Sequence, residues 1–424
     1  MKTARSIRGM TDILPEEVGC YQLVESVFRD ILHRYGYDEI RLPMVEYAEL
    51  FKRSIGSETD IVEKEMYTFL DRSDELLCLR PEGTAGCVRA VVQNGLINQG
   101  SIKKLWYMGP MFRYERPQRG RQRQFNQMGV EVFGEESTEV ELEILLLCDR
   151  IWRNLNIEDL VQLEINTIGD LDSRKSYVTS LTSYLQKYSD DLDDDSKRRL
   201  STNPLRILDS KDDKTQKILS NAPNFTDFVD HKSRGHFEKL CNSLEGLGIP
   251  YNVNPALVRG LDYYNRTVFE WTTKELGAQG TICGGGRYDG LVEKFSNKSS
   301  AAVGCAFGIE RLVMLTKSLS SQESQLSSVG DIYIVAVGEE ARMMAIRCAE
   351  NIRSEIPSWR VLQNLGAGSI KSQLKRANKS DSKIAIIIGP EEVASKCVTL
   401  KFLRDDLEQE SVVESQLISR LKDI

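Results

Sequence analysis

The chain has 424 residues, a formal net charge of −7, 41% hydrophobic and 28% charged residues, a composition ordinary for a soluble globular protein with two or three cores. No run reaches the ~18 apolar residues of a membrane span, and the N-terminus, MKTARSIRGMTDILPEE, shows no apolar signal core. Nine cysteines without a CxxC pair, beside three histidines, argue against zinc and for reduced thiols in a cytoplasmic protein, and the acidic balance excludes a broad nucleic-acid coating while allowing a local basic patch for a folded RNA.

Pro15 with Glu16 and Glu17 marks a helix start, and the apolar spacing from Val18 to Leu32 predicts a helix ending near Gly36. A strand-like segment, YDEIRLP, follows over 37–43. Leu76–Leu79 reads as a short strand running into Arg80-Pro81-Glu82-Gly83-Thr84, the entry to a helix over 85–95. Here Thr84 could cap the first-turn amides, or Arg80 and Glu82 could belong to a ligand site.

The richest stretch is LWYMGPMFRYERPQRGRQRQFNQMGVEVFG, residues 105–134. It predicts two strands, 105–115 and 123–133, joined by a basic turn with Pro117 and Gly120. Alternation puts Arg123, Phe125, Gln127, Gly129 and Glu131 on one face and Met128, Val130 and Val132 on the other, toward a core. Met111, Arg113 and Glu115 share a face of the first strand. A merely wet hairpin could alternate in this way. Arg113, Arg116, Arg119, Arg121 and Arg123 crowd into eleven residues of an acidic chain, however. Guanidinium groups suit planar, bidentate contact with phosphate, and the face reads as a phosphate-binding one.

Thr138–Asn154 predicts an amphipathic helix and 161–167 a strand. Residues 170–248 change to a charged, helical character. Strand signals return at 249–271, which contains LVRGLDYY, and at TICGGGRYDGL, 281–291. The triple glycine lacks the GKS or GKT of a phosphate-binding loop and by itself favours a tight turn. AAVGCAF (301–307) is a small-residue strand leading into a helix with Arg311 in its first turn. A cation there is unfavourable unless an anion is also bound, which suits a terminal phosphate. A Ser/Gln-rich linker covers 318–328. Beyond it strands and helices alternate in a small α/β domain: strands at 331–337, 359–362, 383–388 and 398–403, helices at 339–356, 369–378 and 412–421. Lys371, Lys375, Arg376, Lys379 and Lys383 cluster there, as a solvated face or an RNA-facing patch.

With these residues in view, the chain resembles the class II aminoacyl-tRNA synthetases over its whole length, and among them the bacterial histidyl-tRNA synthetases. MFRYERPQRGRQRQFNQMGVEVFG looks like their motif 2, AAVGCAFGIERL like motif 3, and the N-terminal helix with its strand like the dimer-forming motif 1. LVRGLDYY (257–264) and GGGRYDGL (284–291) resemble the histidine-specific signatures. The resemblance implies an α+β catalytic domain, its antiparallel sheet flanked by helices (1–169 and 249–320), interrupted by a helical insertion (170–248). A linker (321–330) and a C-terminal α/β anticodon-binding domain (331–424) would follow.

It also implies ATP as substrate, Mg²⁺ carried mainly on the ATP phosphates with no protein side chain assigned to it, and histidine and tRNA(His) as partners of a cytoplasmic homodimer. Arg113 and Arg259 would act on the α-phosphate, Arg311 at the terminal phosphate, and Phe125 on adenine. Glu82, Thr84 and Gln127 would hold the substrate's α-amino group. Glu131 and Tyr264 would address its imidazole, with Tyr263 and Tyr288 nearby. Arg116, Gln118, Arg119 and Arg121 would meet the tRNA acceptor end. Tyr114 and Asn126 depart from the common histidines, on faces turned from the substrate side. Two rival readings are a histidine-sensing paralogue resembling the regulatory subunit of ATP phosphoribosyltransferase, and a synthetase for threonine or proline. Retained arginines and a C-terminal domain count against the first, LVRGLDYY against the second.

Overall fold

The computed structural model describes residues 4–56, 59–97, 101–208, 210, 212–258, 261, 263–277, 280–296, 298–319, 331–366 and 368–424. Arg259 and the segment 321–330 lie outside them. The chain divides into two compact units, Met1–Ser321 and Gln322–Ile424.

The first unit opens with α1 (Pro15–Arg34) and β1 (Asp38–Glu39), so the segment expected as a seven-residue strand pairs over only two residues. Then come β2 (Val45–Tyr47), α2 (Ala48–Ile55), β3 (Thr68–Leu70), β4 (Leu76–Leu79) and α3 (Thr84–Gln93). The hairpin follows as β5 (Lys103–Phe112) and β6 (Gln124–Phe133), paired from Lys103↔Phe133 to Phe112↔Gln124. After α4 (Thr138–Asn154) and β7 (Gln162–Thr167), residues 170–248 carry α5 (Leu171–Gln186), α6 (Asp194–Thr202), α7 (Asp213–Leu219) and α8 (His231–Gly246), and no strand among the described residues. All four of these helices start on an aspartate, Asp170, Asp193, Asp212 and Asp230 in turn, whose carboxylate accepts first-turn amides. The unit closes with β8 (Tyr251–Val253), β9 (Asn265–Thr272), β10 (Thr281–Arg287), α9 (Asp289–Phe295), β11 (Ala302–Gly308) and α10 (Ile309–Leu319).

Eight of these strands form one sheet in the order β1-β5-β6-β11-β10-β9-β7-β8, antiparallel except at its two edge pairs. On one face α1, α4, α8 and α10 bury Phe28, Leu145, Trp152, Leu244 and Leu312 against Met128, Val130, Val132, Phe269 and Phe307. On the other, α3, α9 and the helical segment close over Tyr107, Met111, Tyr263, Tyr264 and Val268. The triple glycine is not a turn. Gly284, Gly285 and Gly286 lie inside β10, between β9 and β11, where a Cβ on Gly285 would run into the backbone of Gly304. Glycine here serves close strand approach. A separate three-stranded sheet, β2-β4-β3, stands beside α2.

The second unit comprises β12 (Ile332–Ala336), α11 (Glu339–Glu355), β13 (Val361–Gln363), α12 (Ile370–Lys379), β14 (Ile384–Ile388), α13 (Pro390–Ser395), β15 (Cys397–Phe402), β16 (Glu410–Val413) and α14 (Leu417–Lys422). Its sheet runs β13-β12-β14-β15-β16, parallel over the first three and antiparallel beyond. The expected helix over 412–421 starts later, because Val412 and Val413 still pair with β15. Lys371, Lys375, Arg376 and Lys379 are exposed on α12, whereas Lys383 is tied to Asp331 at 3.0 Å.

Candidate active site

The two faces of the hairpin separate in three dimensions, except that Arg123, expected on the cleft face, lies over the Tyr114 ring at 3.8 Å and donates to the Glu115 carbonyl. Phe125 and Gln127 from β6, with Arg113 and Glu115 just beyond β5, open onto one cleft, while Met128, Val130 and Val132 are core. The same cleft receives Glu82 and Thr84 from the start of α3, Tyr263 and Tyr264, Thr281 to Gly284 of β10, and Glu310 and Arg311 from α10. Of the sequence-predicted residues, then, Arg113, Arg311, Phe125, Glu82, Thr84, Gln127, Tyr263 and Tyr264 share one space. Glu131 and Tyr288 stand directly behind it.

Glu131 is the polar centre of this wall. It is fully buried, and its carboxylate accepts the hydroxyls of Thr84 at 2.8 Å, Tyr107 at 3.0 Å and Tyr288 at 2.5 Å. Burial pushes its pKa up to about 8, against the pull of those three donors. Tyr107 was missed in the sequence reading, although strand parity places it on the face of Met111 and Arg113. Its ring occupies the gap left by two glycines: a Cβ on Gly83 or on Gly129 would fall into it. Tyr263, Tyr264 and Tyr288 form a triangle of rings with centroids 4.7 to 6.5 Å apart, which closes the inner end.

Thr84 does not cap α3. The Glu82 carboxylate does, accepting the amides of Thr84 at 2.6 Å and Ala85 at 2.9 Å. Those amides free the Thr84 hydroxyl for Glu131. Burial raises Glu82, and the two amides and the Arg113 guanidinium oppose the rise. Nearby, the buried Gln127 amide oxygen has no hydrogen-bond partner among the described residues, an acceptor left for a ligand.

Toward the opening the cleft turns cationic. Arg113 is fixed by donation from Nε to the Pro81 carbonyl at 2.8 Å and lies over the Phe125 ring at 5.3 Å. Arg311 donates to the carbonyls of Gly120 and Thr281, which aims it across the cleft. Burial and the Arg121 guanidinium push Arg311 below the usual arginine range; Glu115 pulls it back and Arg113 pushes again. Arg121 thus lines the cleft and forms an ion pair with the buried Glu115, while Arg116, Gln118 and Arg119 point outward on the turn closed by Gln118 and Arg121. Glu115 and Glu310 were not singled out from sequence. Glu310 accepts the backbone and side-chain N–H groups of Asn126 at 2.7 and 2.9 Å, so the non-histidine residue at 126 serves to hold a carboxylate in the wall.

Arrays of this kind hold a polyanion at one end and a small polar molecule bearing N–H groups at the other. The comparisons agree. A family model described as histidyl-tRNA synthetase matches residues 9–312, and one described as anticodon binding domain matches 331–424. The apo histidyl-tRNA synthetase of S. aureus superposes with a TM-score of 0.82 at 33% identity, over 99% of this chain and all of that one. The histidyl-tRNA synthetase of Nostoc (20% identity, 99% of both chains, TM-score 0.70) shares the fold. So does an ATP phosphoribosyltransferase regulatory subunit/histidyl-tRNA synthetase of Bacillus halodurans (22%, 92% of this chain and all of that one, 0.63). No helix among the described residues is long and apolar enough to cross a membrane. The chain belongs to the histidyl-tRNA synthetase family of class II ligases, which charge tRNA with histidine.

Proposed function

We propose that the cleft activates L-histidine with ATP and then passes the histidyl group to the 3′ end of tRNA(His). A histidine carboxylate oxygen attacks the α-phosphorus, the bond to the β-phosphate breaks, and pyrophosphate leaves. Negative charge grows on the α-phosphoryl oxygens, where Arg113, held by the Pro81 carbonyl, provides fixed counter-charge and Arg259 adds a second cation. Arg311 takes the terminal phosphate. Arg121, from its place in the cleft, also serves that end rather than the acceptor stem alone. Phe125 carries adenine. Magnesium supplies further phosphate neutralisation when bound; it is a hard cation held mainly by the ATP oxygens, and Glu310 is the carboxylate of the wall suited to it, since Glu115 is already paired with Arg121.

Glu82, Thr84 and Gln127 receive the substrate ammonium. Glu131 and Tyr264 receive the imidazole, with Tyr263 and Tyr288 enclosing it. A ring without N–H groups gives the buried Glu131 carboxyl no donor in exchange for the desolvation it imposes, and is rejected by more than shape alone achieves. In the second step the terminal ribose hydroxyl attacks the adenylate carbonyl, AMP departs, and a phosphate oxygen of the adenylate takes the proton. Arg116, Gln118 and Arg119, exposed on the turn at the cleft's rim, meet the acceptor end, and the basic face of α12 meets the anticodon arm.

The protein works as a cytoplasmic homodimer, in domains divided at 169/170, 248/249, 320/321 and 330/331, with 321–330 as the linker. Met44, Val45, Tyr47, Phe69, Leu70 and Leu76, all exposed on or beside the three-stranded sheet, offer the apolar face such a dimer covers.

The observation that carries this reading is the single cleft joining Arg113 and Arg311 to the Glu82–Thr84–Glu131 wall. Histidine-dependent pyrophosphate–ATP exchange tests it. Exchange with histidine alone is expected; silence with every amino acid points to a histidine-sensing regulatory role, and exchange with another amino acid to a different synthetase. Arg259→Ala is expected to depress exchange turnover far more than ATP affinity, and unchanged turnover removes the role given to Arg259.

A further inference from the structure

Nine cysteines scattered through the sequence do not stay scattered in the fold. Cys148 from α4, Cys283 from β10 and Cys305 from β11 meet in the main core, and each sulfur lies within 4.8 Å of the other two. All three are buried, at 0, 1 and 3% exposure. The leading influences on them are burial, one another and, at Cys148, the Asp149 carboxylate and the Trp271 indole, with no cation in the set.

We propose that these three thiols form a capture site for trivalent arsenic, taken up as arsenous acid. Geometry sets the coordination number. Bonds from a soft centre to sulfur are roughly 2.3 Å, and the pyramidal geometry of a trivalent centre with a lone pair puts three such sulfurs roughly 3.4 Å apart, inside the 4.8 Å within which these three lie; the described residues add no fourth His, Cys, Asp or Glu ligand to the group. Charge then selects the centre. Three thiolates on a divalent ion leave one net negative charge in an apolar core, and on a monovalent ion two, a heavy cost without a counter-charge. A trivalent centre leaves none.

The reaction balances without an oxidant: As(OH)₃ and three Cys–SH give As(S–Cys)₃ and three water molecules. Three As–O bonds break, three As–S bonds form, and each thiol proton leaves with a hydroxide. A second cleft approaches the cluster without reaching the sulfurs themselves. Trp152 and Trp271 line it with Asp149, Tyr251 and Glu275, and Trp271 lies against Cys148. The Trp152 indole N–H is buried without a hydrogen-bond partner among the described residues, and the Trp271 indole N–H is directed at the Cys148 sulfur.

Cys283 also borders the ATP cleft, through a strand whose Thr281 carbonyl holds Arg311. Capture ties α4 to that strand, so we expect exchange activity to fall with it; this second part rests on the function proposed above.

The full-length protein, treated with sodium arsenite and freed of excess, is examined by native mass spectrometry. One arsenic per chain with loss of three hydrogens is expected, and at least a tenfold weaker uptake in both Cys148→Ala and Cys305→Ala, with Cys397→Ser unchanged. Uptake that survives both core substitutions overturns the site. So does no uptake by the parent chain, either folded or refolded from denaturant in arsenite. Separately, exchange by Cys148→Ala is expected to resist arsenite that slows the parent at least fivefold; equal sensitivity of the two overturns the coupling to the cleft while leaving the binding result to stand or fall alone.

Discussion

The Tyr288 hydroxyl and the Glu131 carboxylate are joined by a 2.5 Å hydrogen bond that links the residue following β10 to the middle of β6. It holds one carboxylate oxygen while Thr84 and Tyr107 hold the other. Tyr288→Phe removes one of three donors to this buried group and leaves one of its oxygens without that partner, a loss of about 1.5–3 kcal/mol, the upper part of the range for an unsatisfied buried polar group. The histidine KM in exchange assays is expected to rise between about tenfold and a hundredfold, since each 1.4 kcal/mol is tenfold, with the ATP KM unchanged. Equal changes in both would place Tyr288 outside the amino-acid pocket.

Glu131 also gives the empty protein a pH dependence of definite sign. Its folded pKa is raised to about 8 from 4.5, so the proton is held more tightly in the folded state. The associated stability is complete below about pH 4.5 and is lost as pH rises through about 8. Unfolding free energies from urea titrations across that window are expected to fall for the parent relative to Glu131→Gln, by a total on the order of a few kcal/mol. Parallel curves for the two proteins would remove the assignment.

Without nucleotide, Glu115 is the counter-charge closest to the cationic end, pairing with Arg121 and lying 3.9 Å from Arg113. Glu115→Gln leaves guanidinium groups facing one another in a partly desolvated space. The thermal midpoint of the empty protein should drop, and the upward shift produced by saturating ATP should exceed that of the parent. A smaller ATP shift would mean that Glu115 helps to bind the nucleotide rather than standing in for it.

Behind the sheet, the fully buried Arg287 donates twice to Glu141, at 2.9 and 2.8 Å, and once to Asp289 at 3.2 Å; His236 of α8 lies 2.7 Å from the same glutamate. Breaking such a pair from one side strands a buried charge. Arg287→Met is expected to lower stability by about 3–5 kcal/mol in denaturant titration. A loss below about 1 kcal/mol would show that Glu141 finds sufficient partners without it.

The parts legible from sequence were those governed by short-range periodicity. Alternation along 123–133 separated cleft from core correctly, as Phe125 and Gln127 against Met128 and Val130 show. Helix spacing gave Thr138–Asn154 to the residue. Failures came where a distant neighbour decides the local state. Three glycines prefer a turn by themselves, and only β9 and β11 on either side make them a strand. Thr84 is a sound cap residue, displaced because the carboxylate two positions earlier reaches the same amides. Arg121 belongs to the turn by sequence and to the cleft by virtue of Glu115. No spacing rule could bring Cys148 to Cys283, since a helix and two strands from remote parts of the chain supply the three sulfurs.

The Tyr107 ring has a consequence for anyone wishing to redesign this pocket. Because the ring fills the room that Gly83 and Gly129 leave open, an added methyl at either position demands a smaller residue at 107, and a smaller residue at 107 withdraws the hydroxyl from Glu131. The three positions are therefore one adjustable part. Libraries that vary them singly will return only damaged enzymes, and altered amino-acid preference will be found, if at all, among variants that exchange all three together.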